Sequence, residues 1–131
     1  MTTHANGSHV LVATDFSPCS AAAYTAAADI ARRLDAPVRV LHVSDARSVL
    51  QQGDSEEWLR SVGVAGDELV TCEGVPWLEI LRCSEDLPAA LVVVGIKGQS
   101  ASSIQVPGST TLALLRYSRV PVMVVPAPVS G

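Results

Sequence analysis

A glycine-rich loop covering residues 95–110 holds the residues best suited to chemistry in this sequence. Three glycines follow the spacing Gly-x2-Gly-x9-Gly and two hydroxyl residues come next; in order they are Gly95, Gly98, Gly108, Ser109 and Thr110. Glycine lets a ligand approach the backbone closely. A helix that starts after Gly108 would offer free N–H groups and the positive end of its dipole. The pattern therefore predicts a binding site for negatively charged oxygens, such as those of a phosphate group.

This loop has few charged side chains, and their small number limits the reactions that it could support. Lys97 is a local cation inside the loop, and Asp15 is the obvious acid, placed after the first apolar run. Phosphoryl transfer needs a positioned base, a metal clamp and cations at the transferred group. Because the loop has no arginine, we expect slow hydrolysis at best and assign no catalytic residue. We also assign no metal ligands, because no His, Cys and Asp set has metal-ligand spacing.

Two common nucleotide-binding motifs are absent. GxxxxGK[ST] does not occur, which disfavours a P-loop NTPase. The first apolar run continues as TDFSPCS, from Thr14 to Ser20, and contains no glycine. It therefore lacks the GxGxxG of dinucleotide-binding proteins, which disfavours a nicotinamide-dependent dehydrogenase.

Short apolar runs define the elements that must position the loop. Four runs rich in β-branched residues cover Val10–Thr14, Val38–Val43, Ala90–Gly95 and Val120–Val125, and they suit strands buried on both faces. A more alternating segment, Glu68–Glu73, suits an edge strand. Helical segments separate these runs, which predicts an α/β fold: a doubly wound, five-stranded parallel sheet of order 3-2-1-4-5 with helices on both faces. Ligands bind such sheets outside the carboxyl ends of the strands.

The first helix has clear start and stop signals. Ser17 can cap it and Pro18 suits its first position. The segment Asp35–Pro37 is expected to end it. Apolar residues spaced by 4, 3 and 4 predict one buried stripe, made of Ala23, Ala27, Ile30 and Leu34.

Three further helices are expected. A short one lies around Glu56–Ser61, another begins at Pro76 and stops before Pro88, and the last spans Ser109–Ser118. The residues expected to face inward from the last two helices are Trp77, Ile80, Leu81, Leu112 and Leu115.

Composition narrows the class of protein. The 131 residues are 48% hydrophobic and 17% charged, which predicts a single folded domain over residues 1–131, with residues 1–8 flexible. A net charge of -4 with no basic stripe disfavours nucleic acid as a partner. Three widely spaced cysteines, Cys19, Cys72 and Cys83, suggest reduced thiols. With no secretory or membrane-spanning pattern, a cytoplasmic location is expected.

The motifs together resemble the ATP-binding universal stress proteins. The spacing Gly-x2-Gly-x9-Gly-Ser, at residues 95–109, is the nucleotide motif of that group. The opening VLVATDFSPCS, the LHV of the second run and the closing RVPVMVV also resemble this family. The resemblance covers almost the whole chain and implies a regulatory, stress-response protein that binds an adenine nucleotide.

The resemblance also implies a pocket and a partner. The ligand would be ATP, ADP or AMP, with Mg²⁺ as an option through the phosphates, and a homodimer would form through residues 120–125. The ends of the first two strands would line adenine and ribose, and the glycine-rich loop and last helix would hold ribose and phosphates. The residues implied are Ala13, Asp15, Val43, Gly95, Gly98, Gln99, Gly108, Ser109 and Thr110. Family members often carry His at the position of Lys97, and Arg or Lys at that of Gln99, so a phosphate-facing cation is displaced or missing here.

Three other functions are weighed against nucleotide binding. One is a weak ATPase, and another is a dimeric interaction module whose pocket is vestigial and whose apolar last strand pairs with a second copy. The third is a response-regulator receiver domain. That class needs an acidic cluster after the first strand and a lysine after the last, whereas here Asp15 stands alone and Pro126 follows the last strand.

Overall fold

A computed structural model describes residues 8–44, 52–86, 88–96 and 107–126 of the chain. Five strands form one sheet in the order β3-β2-β1-β4-β5, and every neighbouring pair is parallel. The strands are β1 (His9–Ala13), β2 (Val38–Ser44), β3 (Leu69–Glu73), β4 (Ala89–Gly95) and β5 (Val122–Val125). The predicted α/β class, strand order and edge position of β3 are confirmed. The segment expected to be flexible lies, apart from Ser8, outside the described residues.

In the described parts of the chain, four α-helices connect the strands: α1 (Pro18–Leu34), α2 (Gln52–Val62), α3 (Pro76–Asp86) and α4 (Ser109–Tyr117). Helix α1 begins as predicted, because the Ser17 side chain accepts a hydrogen bond from the Ser20 amide at 3.2 Å. It ends where Asp35 takes a left-handed conformation with φ of 55°. Helix α2 is longer than the expected Glu56–Ser61 segment.

The two faces of the sheet are covered by different pairs of helices. Alternate strand residues point to opposite faces, so Val10 and Val12 pack against α1, whereas Leu11 packs in the core formed with α3 and α4. Helix α2 covers the α1 face through Trp58 and Leu59, which pack on Val40 of β2. This two-faced burial explains the near-continuous apolar runs in the sequence.

The predicted inner stripes of two helices are wrong in part. Leu34 is 54% exposed, because the buried stripe of α1 runs through alanines at four-residue spacing, namely Ala23, Ala27 and Ala31. In α4, Leu112 and Leu115 are 53% and 52% exposed, and Leu114 is fully buried instead. The physical reason in α4 is that the Thr111 hydroxyl donates to the Gly95 carbonyl at 2.9 Å, which sets the rotation of the helix.

Gly95, the last residue of β4, lies directly against the first turn of α1. A Cβ atom at Gly95 would lie 2.8 Å from Cys19 Sγ and 3.1 Å from the Cys19 carbonyl carbon and oxygen. Cys19 is itself buried. The absence of a side chain at Gly95 therefore lets strand β4 and helix α1 approach each other closely.

The rotation of α4 predicts unequal effects for two neighbouring leucines. Leu114→Ala should lower the free energy of unfolding by about 2–5 kcal/mol, because it empties a fully buried site. Leu112→Ala should change the free energy of unfolding of the monomer by less than about 0.5 kcal/mol, because that side chain is half exposed in the single chain. Urea denaturation monitored by circular dichroism measures both, and equal losses would contradict the observed rotation.

The contact between Gly95 and Cys19 predicts intolerance of even the smallest side chain. Gly95→Ala should cost about 1–3 kcal/mol of stability, because the backbone of Cys19 cannot move aside without shifting α1. Gly66→Ala is the matched control, since a Cβ at Gly66 meets no atom within 4 Å. Thermal unfolding of the two variants measures the difference. A Gly95→Ala protein as stable as the control would show that the close approach does not constrain the fold.

Candidate functional site

Both ends of the glycine-rich loop meet at the carboxyl edge of the sheet. The Gly108 amide donates a hydrogen bond to the Ile96 carbonyl at 2.7 Å, and Thr111 bonds to the Gly95 carbonyl as described above. These two contacts place the start of α4 beside the end of β4. The structure thus brings the predicted residues Gly95 and Gly108 together. Lys97, Gly98 and Gln99 lie outside the described residues.

The first turn of α4 presents backbone amides at this edge. Gly108 occupies the N-cap position and makes no side-chain capping bond. The first intrahelical bond runs from the Leu112 amide to the Gly108 carbonyl at 2.9 Å, which leaves the amides of Ser109 and Thr110 without an intrahelical acceptor. Ser109 is therefore the first helical residue rather than the cap, and its exposed side chain lies next to these amides.

The turn between β1 and α1 lies at the same edge of the sheet. Ala13 ends β1, and both Ala13 and Asp15 are half-buried. Asp15 Oδ1 accepts a hydrogen bond from the Ser17 amide at 3.1 Å. Thr14 Oγ1 accepts one from the Phe16 amide at 2.8 Å. These bonds within the turn hold the Asp15 carboxylate near the start of α1, where the helix dipole favours negative charge.

Val43 occupies the carboxyl end of β2, next to the end of β1. Its side chain is buried in the core under α3 and α4. That packing leaves the main chain of β2 as the part able to contact a ligand at this edge. The Val43 side chain therefore has a packing role.

Sequence reasoning did not identify a cluster of rings that supports the β1–α1 turn. His42 Nδ1 lies 2.8 Å from the Thr14 carbonyl oxygen, and the Phe16 ring centroid is 4.4 Å from that of His42. The indole N–H of Trp58 donates to the Ser17 carbonyl at 3.2 Å. His42 and Trp58 are both buried, and both hold the turn through these bonds. Their long separations in sequence, 28 residues for His42–Thr14 and 41 for Trp58–Ser17, gave no local signal.

The side chains whose pKa values are shifted from their ordinary values are not among the predicted site residues. Burial, followed by the charge of nearby Cys83, raises the pKa of Cys72 on β3. Burial, followed by the charge of Glu79, raises the pKa of Cys83 on α3. Burial, followed by the charge of Glu68, raises the pKa of Tyr24. Within the described ranges, no three His, Cys, Asp or Glu side chains are grouped to hold a metal ion. None of the helices in those ranges has both the length and the apolar character to cross a membrane.

Comparison with solved structures gives the same fold. Universal stress protein UspA from Lactobacillus plantarum is 26% identical, with a TM-score of 0.69, over 90% of this chain and 97% of that one. A universal stress protein from Archaeoglobus fulgidus is 25% identical, with a TM-score of 0.67, over 97% of this chain and 46% of the longer one. A universal stress protein solved in complex with cAMP shares the fold at 20% identity, with a TM-score of 0.65, over 92% and 98% of the two chains.

No curated protein matches the sequence. A model of the Usp family, described as the universal stress protein family, matches residues 8–62 and 57–126. These two overlapping matches include the five strands and four α-helices of the described residues. The chain therefore belongs to the universal stress protein family.

Proposed function

We propose that this chain is a cytoplasmic, stress-response regulatory protein whose single domain binds an adenine nucleotide, with ATP as the preferred ligand. One observation carries the proposal: the uncapped start of α4 is hydrogen-bonded to the end of β4, beside the β1–α1 turn. Backbone amides and one carboxylate thus lie at the same edge of the sheet, which is where parallel α/β sheets bind ligands. The cAMP complex of a protein with this fold supports an adenine nucleotide as the class of ligand.

The phosphates would lie at the start of α4. The amides and hydroxyls of Ser109 and Thr110 supply donors, and the helix N-terminus supplies a positive end in a chain of net charge -4. Gly98 and Gln99 of the intervening loop would complete this part of the site. Mg²⁺ would enter bound to the phosphates, since the protein supplies it no grouped ligands in the described residues.

The adenosine would lie over the ends of β1 and β2. Asp15 suits a ribose, because a carboxylate accepts hydrogen bonds from hydroxyl groups. Ala13 offers a small apolar surface at the end of β1, and the Val43 main chain offers donors and acceptors for the edge of adenine. Gly95 contributes through its position alone, because its carbonyl accepts the Thr111 hydroxyl and the space beside its Cα is filled by Cys19.

Isothermal titration of ATP, ADP and AMP tests the proposal. Thr110→Val removes a hydroxyl with little change of shape, and we expect it to weaken ATP binding about tenfold by deleting a phosphate hydrogen bond. Thr25→Val, on the exposed face of α1, is the matched control and should bind like the natural sequence. AMP should be less sensitive than ATP to Thr110→Val. Absence of heat for all three nucleotides at high-micromolar concentration would reject the proposed function.

We also propose that two copies associate along the free edge of β5. Tyr117 of α4 stacks on Trp77 of α3 with ring centroids 5.4 Å apart, so the opposite flank of α4 faces the β5 side. Helical spacing of about 100° per residue places Leu112 and Leu115 on that flank, where both are half exposed. No other strand of the described residues pairs with the outer edge of β5. We expect this edge and the two leucines to form an apolar border that suits pairing with a second copy.

Sedimentation velocity tests this association. Leu115→Glu places a charge on the proposed contact and should convert a dimer at micromolar concentration into a monomer. Leu34→Glu is the matched control, because Leu34 is 54% exposed at the end of α1, away from β5. A natural sequence that is monomeric at micromolar concentration, or a Leu115→Glu protein that stays dimeric, would contradict the proposed contact.

A further inference from the structure

We propose that His42 is a positioning residue for the nucleotide site. It fixes the conformation of the β1–α1 turn, residues 14–17, and so places the Asp15 carboxylate. This inference rests on the proposed function for its consequence in binding. Its structural part, that one buried imidazole holds the turn, rests on contacts that involve no ligand.

The first contact is a side-chain hydrogen bond at the end of a strand ladder. The paired register of β1 and β2 ends at Ala13 and Leu41, and the Thr14 amide still donates to the Leu41 carbonyl at 2.9 Å. The carbonyl oxygen of the same residue, Thr14, lies 2.8 Å from His42 Nδ1. Because a carbonyl oxygen can only accept, Nδ1 must carry the proton. The imidazole thus fixes the direction of the Thr14 peptide group, and with it the start of the turn.

The second contact explains how the turn keeps an unfavourable conformation. Phe16 has φ of 64°, in the left-handed region that a bulky aromatic residue adopts rarely and at an energetic cost. Its ring lies over the His42 ring at a centroid distance of 4.4 Å and an interplanar angle of 36°. His42 itself is only 7% exposed. The rigid strand residue therefore supports both the peptide group before Asp15 and the side chain after it.

The third contact closes the turn from the side of α2. The Trp58 indole N–H donates to the Ser17 carbonyl at 3.2 Å, and the Phe16 ring lies edge-on to Trp58 at a centroid distance of 5.8 Å. Trp58 cannot replace His42, because it contacts the end of the turn whereas His42 contacts its start. Asp15 lies between these two fixed points, and its Oδ1 receives the Ser17 amide. Loss of the His42 bond should free the half of the turn that precedes Asp15.

The test compares three variants of the full chain. His42→Leu removes the donor, His42→Asn keeps an N–H donor at the position of Nδ1, and Val10→Ala weakens a fully buried site near the opposite end of β1. Titration with ATP measures the Kd of each folded variant. We expect His42→Leu to raise the Kd about tenfold through misplacement of Asp15, and His42→Asn to return it to within about twofold of the natural value. Val10→Ala should lower the melting temperature and leave the Kd unchanged.

Nuclear magnetic resonance tests the positioning without any nucleotide. The amide resonances of Phe16 and Ser17 should move in His42→Leu and return in His42→Asn. In the natural protein, long-range ¹H–¹⁵N spectra should show the His42 proton on Nδ1, which covers the case in which His42→Leu fails to fold. An unprotonated Nδ1, or a folded His42→Leu protein with natural Kd and natural Phe16 and Ser17 resonances, would overturn the inference. If the natural protein binds no nucleotide, the proposed function falls, and these resonances still decide whether His42 holds the turn.

Discussion

The hydrogen bond from the Thr111 hydroxyl to the Gly95 carbonyl determines much of the arrangement at the carboxyl edge of the sheet. It joins the end of β4 to the first turn of α4, and the bond from Gly108 to Ile96 reinforces the junction. This side chain therefore constrains both the position and the rotation of the helix. The place brings the helix amides to the candidate site, and the rotation turns Leu114 into the core and Leu112 outward.

Much of the fold followed from the sequence because its signals are local. Residues buried on both faces of a parallel sheet must be apolar without alternation, and the serine, proline and aspartate at the ends of α1 act within their own turns. Strand order is consistent with right-handed crossovers between consecutive elements. The rotation of α1 and α4 could not be predicted in the same way. The spacing of leucines suggested which face of each helix points inward. In α1 the buried face is made of alanines instead, and in α4 it agrees with the hydrogen bond of Thr111. Both depend on the surface against which the helix packs.

In the candidate site, too, features set by local sequence could be predicted and contacts between distant residues could not. Glycine spacing and the helix start predicted Gly95 and Gly108, and the structure places them together. The support of the β1–α1 turn was not predictable, because His42 and Trp58 approach it from a strand and a helix far along the chain. An LHV sequence in an apolar strand carries no indication that its imidazole bonds to a carbonyl on the neighbouring strand.

The glycines of the motif need not share one physical cause. At Gly95, a side chain is excluded by Cys19 on the α1 face of the sheet, so packing alone accounts for the small residue. At Gly108, the backbone is extended with φ of -73°, which any residue adopts, and no side-chain cap is made. Packing therefore explains the glycine at position 95, whereas the backbone conformation gives no reason for a glycine at position 108. In the proposed nucleotide site, close approach of a phosphate supplies that reason at Gly108. The case for a ligand therefore depends more on the start of α4 than on the end of β4.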